Sequence, residues 1–198
     1  MTDRITVLNE CLMRIGAEPL VTEADPGAPA HLAVYEAVLR HAASKPFSFF
    51  KVTRRLTRLS ATPELWPYAY QLPSDRLGPP RAVYPTSGSR QPTTDYDLIG
   101  DQLLTTHPEI WATLLVASNV ARWPGDFREY FNTAVMAELA LSVREDRALH
   151  DRLYQKAYGT PSERGMGGLF GAALDMDSQG IPSTPAGGGV NPLVDVRY

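Results

Sequence analysis

The side chains that could do chemistry in this chain are few and scattered. The histidines, His31, His41, His107 and His150, stand at no spacing that brings two ligands to one helix face or one hairpin. The lone cysteine, Cys11, lies in an apolar, helix-like stretch and reads as a small buried hydrophobe rather than a reactive thiol. Asp95, Asp97 and Asp101 flank a Gly100-Asp101 turn, where turn chemistry accounts for them more simply than a metal does. The run 175–180 begins like a calcium loop, but Ala186 stands where the bidentate Glu belongs and Pro182 and Pro185 intrude. In the Gly-rich run 165–171, Phe170 replaces the third glycine of a dinucleotide-binding turn. No Walker-type Gly-Lys-Ser/Thr, His-Glu-x-x-His or Gly-x-Ser-x-Gly occurs. The expectation is a protein that is not an enzyme, with no catalytic residue, metal or cofactor.

One charge run stands out. Arg40, Lys45, Lys51, Arg54, Arg55 and Arg58 carry +6 with no acid between residues 40 and 58, in a chain whose net charge is −3. Arg54, Arg55 and Arg58 have two readings, a solvated sheet face or a contact to nucleic-acid backbone or an acidic partner. On one strand, Arg54 and Arg58 would share a face and Arg55 would point the other way. Phe47, Phe49 and Phe50 nearby could stack on bases, but they read better as the anchor of a turn from helix to sheet.

These residues must be carried by elements that the periodicity outlines. Residues 2–15 read as a helix with Ile5, Leu8, Leu12 and Ile15 on one face, Thr2 as N-cap and Gly16 as the stop. A second helix is expected over 26–44, with Asp25 as N-cap and Pro26 at its first position. The period then shortens to two. Strands are expected over 52–59, 68–72, 81–84, 96–99, 102–105 and 110–117, forming one small antiparallel sheet punctuated by prolines. Helix returns after Trp123-Pro124-Gly125, with Asp126 as cap, and again over 146–158 with a break at Gly159-Thr160-Pro161.

The fold class is therefore α+β: an antiparallel helical bundle with a small inserted antiparallel β domain and an extended C-terminal arm. The bundle is expected from 1–46 and 118–158, the β domain over 47–117, a Gly-rich connector over 159–175 and the arm over 176–198. The connector's conformation stays open between helix and loop. Gly and Pro make up seven of the arm's 23 residues, a composition of extended segments. Yet the arm ends in Val190, Leu193, Val194, Val196 and Tyr198, an apolar tip suited to docking on a partner by strand addition or groove filling. The alternative is a tail that folds back on its own core. The first residues show an early acid and no long apolar run, so no secretory leader or membrane span is expected.

The order of these signals carries a resemblance. Ile15-Gly16-Ala17-Glu18-Pro19-Leu20 closes the first helix, and Lys45-Pro46-Phe47-Ser48-Phe49-Phe50 follows the second. Then come the strand with Arg54 to Leu59, Tyr68-Ala69-Tyr70-Gln71-Leu72-Pro73-Ser74-Asp75, and the hairpin from Tyr96 to Thr106. A helix around 127–143 and one more after it complete the series. The chain resembles, over roughly residues 3–158, the tail tubular protein A family of tailed phages, head-to-tail adaptors with relatives in gene transfer agents. Phe47 stands where that family often has Trp, and the stretch after 158 matches it less well. The resemblance implies a virion structural protein, made in the host cytoplasm and placed at the head–tail junction. Twelve copies would form a ring that binds the portal protein above and a nozzle, stopper or tube protein below, extending the channel through which DNA passes. Two alternatives remain: another neck or tail component, such as a stopper or minor tail protein, or a nucleic-acid-binding module built on residues 40–58.

Overall fold

A computed structural model of the protein describes residues 4–45, 47–60, 65–117 and 119–180. Its order is two helices, seven short strands, then three helices, an α+β fold with two small antiparallel sheets. Helix α1 (Arg4–Arg14) buries Val7, Leu8, Cys11 and Leu12. It stops at Gly16, whose φ of +72° is the left-handed conformation expected of a C-terminal glycine. The expected cap Thr2 lies outside the described residues.

Helix α2 (Ala28–Ala43) begins two residues later than expected, and Asp25 does not cap it. The Asp25 carboxylate instead folds back to accept the backbone N–H groups of Val21 and Thr22 at 2.6 and 3.2 Å. Gly27 takes the N-cap position, and Pro29 rather than Pro26 occupies the first turn, where no backbone donor is needed.

Helix α3 (Gly125–Arg144) is the hub. Eleven of its residues are buried, among them Phe127, Phe131, Val135 and Leu139, and α1, α2, α4 and α5 all pack on it. Pro124 is its N-cap; Asp126 sits in the first turn, where its charge suits the helix dipole, but makes no cap bond. Helix α4 (Arg147–Tyr158) is capped by Asp146, which accepts the Leu149 N–H at 2.9 Å.

The Gly-rich stretch resolves into a 3-10 turn, Pro161–Glu163, and helix α5 (Gly168–Gln179). The expected extended arm therefore cannot begin at 176, because 176–179 is the last turn of α5. Phe170 and Ala173 are buried against the helical core, which is what makes a helix with two glycines stable here. The glycines serve close approach. A side chain at Gly168 would stand 2.6 Å from the Lys156 carbonyl oxygen, and φ there is +58°. The residues from 181 onward, with the rest of the expected arm, lie outside the described residues.

The expected single sheet is two. Strands β1 (Lys51–Arg55), β7 (Trp111–Leu115) and β4 (Ala82–Tyr84) form one in that order. Strands β2 (Thr57–Arg58), β3 (Tyr68–Gln71), β6 (Gln102–Thr105) and β5 (Tyr96–Ile99) form the other. The strand expected over 52–59 is broken at Leu56, whose side chain is buried and whose N–H bonds Ile110 O. The β5–β6 hairpin turns on Gly100-Asp101 as expected, with Gly100 at φ +58°. Leu56, Tyr70, Leu72, Val83, Leu103, Ile110, Ala112 and Leu114 form the apolar core of the strand region.

Candidate interaction site

The basic stretch does not form one surface. Arg54 lies on β1 and Arg58 on β2, in different sheets, so they do not share a strand face. Leu56 causes this, because burying it turns the chain from one sheet into the other. Arg54 Nη1 pairs with Asp75 at 2.8 Å, Arg55 Nε pairs with Glu109 at 3.1 Å, and the Arg58 guanidinium lies 4.4 Å above the Tyr68 ring. Arg40 Nε donates to Glu36 O, and Lys45 stands 5.8 Å over Phe170. Each of these cations thus meets an acceptor or ring of its own chain.

Phe47, Phe49 and Phe50 anchor the turn from helix to sheet. Phe47 and Phe50 are buried, and all three rings pack within 5.4 Å of Phe127. The acidic group around the hairpin is turn chemistry. Asp97 accepts the Leu98 N–H at 2.8 Å, Asp95 accepts the Thr106 hydroxyl, and Asp101 pairs with Arg76 at 2.5 Å. Among the described residues no group of three or more His, Cys, Asp or Glu is placed to hold a metal ion. The start of the calcium-like run is helical, and Asp177 points elsewhere: it accepts the Ser48 N–H at 2.7 Å and the Ser48 hydroxyl at 2.5 Å. Cys11 is fully buried and donates to Asn132 O at 3.6 Å; burial pushes its thiol up to about 12.

The Ser48–Asp177 contact is the informative one. Ser48 opens the 3-10 turn Ser48–Phe50, which feeds directly into β1. Asp177 is in the last turn of α5. The last turn of α5, where the described residues end, therefore lies beside the start of β1. The arm residues Val190, Leu193, Val194, Val196 and Tyr198 lie outside the described residues. Periodicity could not have found this junction, because it joins residues 129 apart in the chain.

Two further surfaces escaped the sequence. On the outer face of the β1–β7–β4 sheet, Arg55, Trp111 and Tyr84 stand in register across three strands beside a cleft of about 270 Å³. Trp111 is held there by its Nε1–H bond to Glu109 at 3.2 Å. Between α2 and α4, Val34, Val38, His41, Tyr154 and Tyr158 line a groove of about 340 Å³. His41 packs edge-on against Tyr158, and desolvation, then Lys45, holds its pKa below the ordinary value. Among the described residues no helix is long and apolar enough to cross a membrane. Neither protein-family models nor curated protein sequences give a match to this chain.

Proposed function

We propose that this chain is a structural subunit of a virion, a head-to-tail adaptor that forms a ring between the portal and the tail and extends the DNA channel. The observation that carries the reading is the order of elements on the resembling motifs. Helices α1 and α2 precede the seven strands, and α3 and α4 follow them, so the helical part is sequence-discontinuous around the strands. In this reading the helices form an antiparallel bundle whose sides meet in a ring, twelve copies by the resemblance. The strand region faces the next tail component, and the segment after Gly180 docks its apolar tip on the portal. Repetition around a ring supports the arm's part, since many weak contacts made together hold far more firmly than one. The nucleic-acid alternative draws less support, because Arg54 and Arg55 already meet carboxylates.

The test is a particle lacking the protein. Deleting its gene from the producing genome should leave DNA-filled heads and free tails that do not join, seen by electron microscopy, and intact particles should contain the protein by mass spectrometry. Normal, tailed, infectious particles without it would end the proposal.

A further inference from the structure

The sheet edges differ in a way that singles out β1. In the β1–β7 ladder, the flanking bonds run from Val116 N to Phe50 O and from Leu56 N to Ile110 O. That phase turns the peptide groups of residues 50, 52, 54 and 56 toward β7 and those of Lys51, Thr53 and Arg55 outward. The Lys51 N–H is taken by Ser48 O. Among the described residues, the N–H and C=O groups of Thr53 and Arg55 meet no hydrogen-bonding partner. The other edges are closed or short. On β4 the Val83 carbonyl accepts Thr93 N–H at 2.7 Å; on β5 Asp97 covers the Leu98 N–H and Thr94 O accepts the Tyr96 N–H. Strand β2 has two residues. An open edge of five residues is a template for another strand.

We propose that this edge is a docking strand for the chain's own C-terminal segment, residues 193–198, within the same subunit. Three observations select that occupant. The first is position: the Ser48–Asp177 bonds bring the end of α5 to the start of β1. Residues 181–192, with three Gly and three Pro, then separate Gly180 from Leu193, and a flexible chain of twelve residues spans roughly 20 Å. Ser48 to Thr53 is at most about 17 Å of extended chain, so the tether matches the span and the effective concentration is high.

The second observation is pattern. Val194, Val196 and Tyr198 alternate with Leu193, Asp195 and Arg197, the period of a strand with one apolar face. Laid on β1, the apolar face would continue the side of the sheet that carries Val52, half-buried at this edge, and its register partner Leu114 in the strand core. The third is charge. The outer side of the arm would carry Asp195 and Arg197, with no net charge, beside Lys51 and Arg55. An identical edge of another copy would bring only cations, so the arm is the less repelled partner. The proposal concerns the unassembled subunit: there the tip rests on β1, and on the adaptor reading it would leave that edge for the portal. Exchange measured on the isolated subunit therefore tests the first placement without deciding the second.

Residue-resolved hydrogen exchange on the full chain tests it. The Thr53 and Arg55 amides should exchange at least about tenfold more slowly in the native protein than in the full-length double variant Val194→Asp, Val196→Asp, with Leu104 and Leu139 equally protected in both. Thr53→Pro removes an outward donor and leaves the β7 ladder intact; it should speed exchange of the arm amides that face β1 within residues 193–198. Equal exchange at Thr53 and Arg55 in the native protein and the double variant overturns the proposal. So does protection that rises with protein concentration, which would make the edge a contact between copies.

Discussion

At the scale of single residues, the buried ionisable groups shape how this fold responds to pH. Cys11 has no exposed surface, and desolvation raises its thiol from 9.0 to about 12. Tyr130 and Tyr158 lie beside each other in the helical core, and burial raises both above the ordinary tyrosine value. In each case the folded state holds its proton to higher pH than the unfolded chain does. Above pH 9 the unfolded state therefore binds fewer protons, and stability falls as pH rises. The contribution is fully present below pH 9 and is lost through the window from 9 to about 12 for Cys11. Urea midpoints should thus be flat across pH 7–9 and decline above it, and Cys11→Ala should lessen the initial decline, before the tyrosines dominate. A midpoint that rises with pH above 9 would contradict this account. The burial of Cys11 was legible in the sequence, because its neighbours at helical spacing are apolar. Its hydrogen bond to Asn132 was not, since nothing local marks a carbonyl 121 residues away.

Among elements, the sequence was most readable where one face is buried and one is wet. Helices α1 and α3 and the β5–β6 hairpin fall within a few residues of their expected spans. One element was misread and one was left open, each for a physical reason. Leu56 lies in phase with a single strand over 52–59, yet burying it requires the chain to leave one sheet for another. The glycines of 165–171 suggest a poor helix, and by intrinsic propensity they are costly. Gly168 and Gly171 are needed because backbone comes too close for a side chain: one at Gly168 would lie 2.6 Å from Lys156 O, and one at Gly171 2.6 Å from Met166 O. Tertiary packing then supplies what propensity lacks. Phe170 is buried among Phe47, Tyr130 and Tyr158, and it is the main apolar anchor of α5. Phe170→Ala should cost about 3–5 kcal/mol. Limited proteolysis should then cut within 168–179 before the rest of the chain, with the strand region still folded. If α5 stays as resistant as in the native protein, its stability must come from the Ser48–Asp177 contact instead.

For the whole molecule, β7 is the wall between two apolar cores. Leu114 points into the strand core while its neighbour Leu115 joins the helical one, as the alternation of a strand dictates. The arginines of β1 work at the rim of this arrangement. Arg54 ties β1 to the loop at Asp75, and Arg55 ties it to Glu109 just ahead of β7. From the sequence they formed one basic run without an acid, because both carboxylates come from distant parts of the chain. Their pairing gives a prediction that separates a structural rim from a nucleic-acid face. Exposed ion pairs are worth about 0–1 kcal/mol each, so replacing Arg54 and Arg55 by Ala should lower Tm by only a few degrees. If the pairs are structural, retention on an immobilised-DNA column at low salt should match that of the unsubstituted protein. A DNA-binding face would behave differently: two lost phosphate contacts would flatten the salt dependence of binding by nearly two units of slope. Equal retention with a slightly lower Tm assigns these residues to the rim, and a flattened salt slope with an unchanged Tm assigns them to DNA.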